Sequence, residues 1–493
     1  MGRSTLIPAA AIAALAIMEI EAVPARSVRW SGRWAGMLGT RQAWASALVA
    51  LFPLLSLVTG FGIGLFGFLF LATALCWWRD SRRVLAAHWP RLRWLVFAFL
   101  LDLGYMAFLM LARVHDFNVL DRPLRMCLML SAVPVVLVAR PPARALWLGA
   151  AAGALASLAF VAWQGLWLGV VRPGGLMNPI TFGDLALCLA LLSLAGALQG
   201  GDVRSDVRSD ALGRWLAAAG VLAGLAASLL TGSRGGWLML ALLVALPALL
   251  ARQGRLRPRV ALALPLLAIV LATLAYALPQ TGVRMRIAIG VSDARLYLAG
   301  NQAPTSLNVR LELWRAGGML IREHPWTGLD TPDYKRRMRA WVREGKLSGA
   351  VFAPPEPPHL HNDVLQVLVT RGVLGLAAWI GILLAPLGFF WMRLRQAGRR
   401  AQGPASPAYA ASLAGLLLVL AYVSFGLTEV IFWSMKANVF YALMVFLLAG
   451  WGLDDGAAGA VRSAQACAAT AGAPAAGPVR PETAPGADAG RPG

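Results

Sequence analysis

Apolar runs of about 20 residues, the length a helix needs to cross a bilayer, recur along most of this chain, separated by short stretches that carry arginine. The pattern predicts spans at 93–112, 122–139, 143–163, 180–199, 212–230, 235–251, 260–279, 363–391, 408–430 and 432–452. The stretch from Ala45 to Trp78 has no charge and is too long for one crossing. Thr59-Gly60-Phe61-Gly62 interrupts it, which predicts a hairpin of two short helices. The expected fold class is an all-α polytopic membrane protein with about 12 transmembrane helices. Its expected organisation is a leader (1–44), nine helices (45–279), a loop domain (280–362), three helices (363–453) and a tail (454–493).

Arginine placement orients these spans. With the flank of the first helix in the cytoplasm, 26 of the 45 Lys+Arg residues fall in the leader, the tail and the connections 79–93, 140–144, 200–214, 252–259 and 393–400. The short outer connections hold only Arg113, Arg122, Arg125, Arg172 and Arg234, as the excess of positive charge on cytoplasmic loops requires. Both termini are then cytoplasmic and 280–362 is periplasmic. Its twelve basic residues do not oppose this, because long loops are translocated regardless of charge. Leu6–Ile20 resembles a signal-peptide core, but the arginine cluster before Ala45 favours a short interfacial or disordered leader. The Ala/Gly/Pro-rich tail lacks the large apolar residues of a core and is expected to be disordered.

Composition agrees: 58% of residues are hydrophobic and 14% charged. The net charge of +22 does not indicate nucleic-acid binding, because the arginines lie between apolar spans and form no basic face with interleaved aromatics. Cys76, Cys127, Cys188 and Cys467 have neither metal-ligand spacing nor a disulfide framework.

A loop of 83 residues, Gln280–Asn362, is long enough that it should fold and carry function. Ser306-Leu307-Asn308 followed by Val309, Leu311, Leu313, Trp314, Met319 and Leu320 predicts a capped amphipathic helix ending near Glu323-His324-Pro325, with a second helix at 332–344. Twelve basic against seven acidic residues leave the loop at net +5, a field that gathers anions and equally suits a solvated surface beside anionic lipid.

Three local features carry chemistry. Thr231-Gly232-Ser233-Arg234-Gly235-Gly236 opens an inward-running span, where free N–H groups, the helix dipole and small residues suit a pyrophosphate beside Arg234. A snorkelling interfacial arginine is the alternative. Arg310, on the amphipathic loop helix, is a solvated side chain, the partner of a nearby acid, or a bidentate phosphate contact. His359-Leu360-His361-Asn362-Asp363 joins the loop to the next span. Two histidines so placed are zinc ligands only with partners, and neither a cysteine nor a His-x-x-Glu-His pattern completes a site, so no metal or other cofactor is expected. An imidazole, with an unperturbed pKa of about 6.5, suits a proton acceptor there. Ionisable residues within spans are costly and suggestive: Asp102, Asp184, Arg371, Glu429 and Lys436. Glu429 and Lys436 are near the outer face, where a structural ion pair between them competes with a role in substrate binding.

These motifs, in this order, resemble the O-antigen ligase and polymerase superfamily over roughly residues 45–452: Thr231-Gly232-Ser233-Arg234-Gly235-Gly236-Trp237-Leu238, the loop helix from Ser306 to Gly317, and His359-Leu360-His361-Asn362-Asp363-Val364-Leu365-Gln366. The resemblance implies an undecaprenyl pyrophosphate-linked glycan as donor and, for ligases, lipid A-core as acceptor in lipopolysaccharide synthesis at the inner membrane. It matches the family's essential arginines to Arg234 and Arg310 and its essential histidine to His361. Ser233, Gly235, His359, Asn362, Glu429 and Lys436 enter as substrate-binding candidates. Direct attack on the anomeric carbon would invert it, and no Asp-x-Asp nucleotide-sugar motif is present. O-antigen polymerase and protein O-oligosaccharyltransferase share the donor. A transporter or flippase is the distant alternative, and would show repeat symmetry and broken helices around midplane charges.

Overall fold

A computed structural model describes residues 41–199, 207–232, 283–299, 305–352, 359–399 and 406–453, with isolated positions between 262 and 277. Residues 45–493 make one unit; of residues 1–44 only Arg41–Trp44, the first turn of a helix, are described. The helices are α1 (Arg41–Leu55), α2 (Gly62–Cys76), α3 (Trp78–Leu109), α4 (Asp121–Leu128), α5 (Ala132–Ala139), α6 (Ala143–Ala162), α7 (Pro179–Leu198), α8 (Val207–Leu230), α9 (Val283–Leu298), α10 (Ser306–Glu323), α11 (Thr331–Arg343), α12 (Asp363–Gly398), α13 (Pro407–Gly426) and α14 (Met435–Leu453). No strand occurs among the described residues.

Eight helical stretches there are long and apolar enough to cross a membrane: Trp78–Arg113, Phe117–Ala139, Ala143–Trp167, Pro179–Leu198, Ala211–Leu230, Asp363–Gly398, Pro407–Gly426 and Met435–Leu453. The chain is a multi-pass, all-α membrane protein. The hairpin is present: α1 and α2 have 15 residues each, about 22 Å at 1.5 Å per residue and short of a 30 Å crossing. Thr59 makes the turn, its hydroxyl donating to the Leu55 carbonyl (2.7 Å) and accepting from Gly62 N–H (2.9 Å). The expected spans 235–251 and 260–279, the leader before Arg41 and the tail after Leu453 lie outside the described residues, isolated positions of the second span excepted.

Two expectations change. Residues 79–93 are not a loop but the first half of α3, and 393–398 likewise extend α12. Arginine ends a membrane span without ending a helix, since it is a good helix former whose charged head reaches water. The second change is that α12 is broken at Gly372 (φ 67°, ψ −170°). The loop segment Pro325–Gly328 fills the notch. Val373 and Leu374 N–H groups donate to the Pro325 and Trp326 carbonyls (2.8 and 3.3 Å). The freed Val369 carbonyl accepts from Leu329 N–H (2.7 Å), the Arg371 carbonyl from the Tyr105 hydroxyl (2.6 Å), and the Thr370 carbonyl from Arg113 (3.1 Å). These backbone groups beside the break are thus answered by protein, the condition for irregular backbone at membrane depth.

Both expected loop helices form. Thr305, one residue before the expected cap, accepts from Asn308 N–H, and α10 ends at Glu323. Asp330 caps α11. Leu313, Leu320, Tyr334, Met338, Trp341, Leu347, Val351 and Leu360 bury one another against Val369 of α12, so the loop has its own core and a fixed seat. In the middle of the bundle α13 and α14 are almost wholly buried. Hydroxyls of Tyr422 and Tyr441 bond the Ala437 and Ile382 carbonyls (2.8 and 2.7 Å), joining α13 to α14 and α14 to α12.

Candidate functional site

Several connections converge at one end of the bundle. Arg113 reaches from the end of the α3 span to the carbonyls of Thr327, Gly328 and Thr370. Lys436 Nζ donates to the Leu176 carbonyl (3.2 Å) and Asn362 Nδ2 to the Leu427 carbonyl (3.0 Å). Close approach of Gly220 to Ser193 and of Gly224 to Ala186 and Ala190 sets α8 antiparallel to α7. Thr231-Gly232 therefore lies at the end of the bundle where α7 begins, near Leu176.

His359 and His361 stand where the loop enters α12. Asn362 caps that helix, its Oδ1 accepting from Leu365 N–H (2.8 Å), while Leu360 is buried and its carbonyl accepts from Trp314 Nε1 (3.0 Å). Between these anchors His361 takes a left-handed backbone conformation (φ 52°), uncommon outside glycine and held here by its surroundings. The two imidazoles pack edge to face, centroids 4.6 Å apart.

Glu429 joins them. Oε1 lies 3.0 Å from His359 Nε2 and Oε2 lies 3.1 Å from His361 Nδ1. The expected pair of Glu429 with Lys436 is not made: the carboxylate has turned to the histidines and the ammonium to the Leu176 carbonyl. Burial works to raise the Glu429 pKa, but the hydrogen bonds from His359 and His361 outweigh it and hold the carboxyl well below the usual range. An ionised carboxylate only accepts. His361 Nδ1 is then the N–H donor, so in the neutral ring the lone pair lies on Nε2. His359 is fixed similarly: its Nδ1 faces the His361 backbone N–H (3.4 Å), so its Nε2 carries the proton given to Glu429.

Beneath this cluster Asp363 is buried with its carboxylate against the backbone of Ile431 and Phe432. Gly426 is required beside it, since a Cβ there would stand 2.8 Å from Asp363 Oδ2. Arg371 pairs with Asp102 (2.8 Å) next to the α12 break. Asp184 is buried in α7. Arg310, partly buried, stands one turn before Trp314 on α10, the helix that touches the His359–His361 segment. Ser233, Arg234 and Gly235 lie outside the described residues, just beyond Gly232 (φ 69°).

His359, His361 and Glu429 also offer three ligand atoms within 4.8 Å of one another, a spacing that a divalent cation could accept. No third ligand is legible from local spacing, because Glu429 is 68 residues from His361. Its signal was only that of an acid in an apolar neighbourhood.

Residues 219–380, about a third of the chain, match the family model described as O-antigen ligase. That stretch is similar to the O-antigen ligase family. It runs from α8 into α12 and so contains Arg234, Arg310 and His361, whereas Glu429 falls beyond it. The chain is similar to an uncharacterized protein of Haemophilus influenzae, 23% identical over 230 residues that cover 46% of this chain and 55% of that protein. It is also similar to a protein of Pseudomonas aeruginosa named O-antigen ligase, 35% identical over 82 residues, 17% of this chain and 18% of that one. The chain thus spans little more than half the length of the first relative and under a fifth of the second.

Proposed function

We propose that the chain is a metal-independent, inverting glycosyltransferase. It moves O-antigen from undecaprenyl pyrophosphate to lipid A-core at the periplasmic face of the inner membrane. The observation that carries this reading is the His361–Glu429 hydrogen bond, which leaves His361 Nε2 as a base within the stretch similar to the O-antigen ligase family.

The acceptor hydroxyl gives its proton to His361 Nε2 as its oxygen bonds to the anomeric carbon. The bond from that carbon to the pyrophosphate oxygen breaks, and its electron pair leaves with the pyrophosphate. Glu429 fixes the tautomer and steadies the imidazolium that forms. His359 braces the same carboxylate, and Asn362, whose amide joins the α12 cap to Leu427, is a positioning group. Arg234, with Ser233 and Gly235, and Arg310 neutralise the leaving pyrophosphate, replacing a metal or a protonated acid. Lys436, partly exposed at the same end, adds a cation for the substrate.

The test is transfer by purified protein given lipid-linked glycan and one of lipid A-core, a pilin-like protein or a second lipid-linked unit. Mass gained by lipid A-core supports ligase. Gain by the others makes the chain a protein O-oligosaccharyltransferase or a polymerase. The ligand spacing of His359, His361 and Glu429 supports one competing reading, a metal-assisted reaction. Loss of transfer in EDTA with return on adding zinc would establish it instead.

A further inference from the structure

Of Arg113, Arg122, Arg125 and Arg371, which lie toward this end of the bundle, three have oxygen partners. Arg113 is bound to three carbonyls, Arg125 to Asp121 (2.6 Å) and Arg371 to Asp102 (2.8 Å). Arg122 differs. It is partly buried on α4, and its guanidinium lies 4.6 Å over the ring of Trp433. Among the described residues it has no hydrogen-bond acceptor. Stacking satisfies the face of a guanidinium but none of its five N–H donors, which project from the edge. A partly buried cation whose N–H donors have no protein acceptor is free to take the oxygens of an anion that reaches it.

Its position connects it to the chemistry. Trp433 follows Glu429 by four residues on the same connection, and its ring meets that of His359 edge-on with centroids 6.0 Å apart. The order in space is therefore Arg122, Trp433, His359, His361, with Glu429 joined to both imidazoles. Arg371, itself paired with Asp102, and Asp121 are both within electrostatic reach of Arg122.

We propose that Arg122, held by Trp433, binds a phosphate oxygen of a substrate beside the His361 base, a contact additional to Arg234 and Arg310. This rests on the glycosyl-transfer reading above. The phosphate belongs either to the donor's pyrophosphate or to the acceptor's lipid A-core.

Equilibrium titration of the purified full chain with undecaprenyl pyrophosphate, and separately with lipid A-core, tests the contact and identifies its source without needing turnover. Arg122→Gln should weaken one of the two by about ten- to a hundredfold, the worth of a charge-assisted hydrogen bond, with melting temperature preserved. Weaker undecaprenyl pyrophosphate binding assigns the donor, and weaker lipid A-core binding the acceptor. Unchanged affinity for both overturns the proposal, as does a fall in kcat alone, which is what a brace acting on His359 through Trp433 would produce. Should Arg122→Gln fail to fold, Arg122→Lys keeps the charge over the ring but loses the fork; it must still weaken binding several-fold, and wild-type affinities in it would overturn the proposal. Wild-type transfer to the three acceptors is scored separately. If the wild type transfers nothing yet loses phosphate affinity on Arg122→Gln, the glycosyl-transfer reading fails while the contact stands.

Discussion

At the residue scale the proposed chemistry depends on which nitrogen of His361 carries the proton. His361→Ala is expected to lower transfer by about a hundred- to ten-thousandfold while undecaprenyl pyrophosphate binding, measured by titration, is unchanged. A parallel loss of binding would move His361 from base to phosphate ligand. Glu429→Gln keeps the shape but can offer an N–H to His361 and admit the wrong tautomer, so a comparable loss is expected in kcat. Glu429 also links stability to pH. Its folded pKa is lowered, so its contribution is fully present above the unfolded carboxyl value of about 4.3 and lost as pH falls through the folded value. The difference in thermal stability between wild type and Glu429→Gln should hold steady near neutrality and narrow below about pH 4. A difference that persists in acid would show that packing, not charge, is what Glu429 contributes. Arg234→Lys and Arg310→Lys should restore little of the activity lost in the alanine variants, because a point charge does not replace a planar fork. Near-normal turnover in both lysine variants would rule out the phosphate clamp.

At the scale of elements, the notch in α12 ties the loop to the bundle. Gly372 has a positive φ, and a Cβ there would lie 2.2 Å from the Trp326 carbonyl carbon. Gly372→Ala must therefore expel Pro325–Trp326 or distort the helix, at a backbone cost of about 1–3 kcal/mol before any clash. Arg113→Ala removes the guanidinium that gathers the Thr327, Gly328 and Thr370 carbonyls. Limited proteolysis should cut either variant within 305–352 faster than wild type, with transfer falling in step. Unchanged cleavage would mean that the loop core around Trp341 holds its seat without the notch.

For the whole molecule, reporter fusions at Gly201 and Arg399 should register cytoplasmic and fusions within 280–362 periplasmic. The reverse would put the His361 cluster on the wrong side for the proposed donor. Apolar length and patterning were enough for the spans among the described residues, the hairpin turn at Thr59–Gly62 and both loop helices, because each depends on neighbours within about one span of chain. The motifs holding Arg310 and His361 were legible as residue types at the outer ends of helices. The continuation of α3 through 79–93 was not, since span length is set by the bilayer and helix length by the backbone. The partner of Glu429 was also hidden. Local sequence offered Lys436, seven residues away, whereas packing of the α13–α14 connection against the start of α12 brought in His359 and His361. The break at Gly372, the pairing of Arg371 with Asp102 and the stacking of Arg122 on Trp433 are likewise contacts between distant segments. Sequence alone therefore determined the helices, their order and the kinds of side chain available for chemistry. Tertiary structure decided which of those side chains meet, because a buried polar group bonds whatever the fold places within about 3 Å, however far away along the chain.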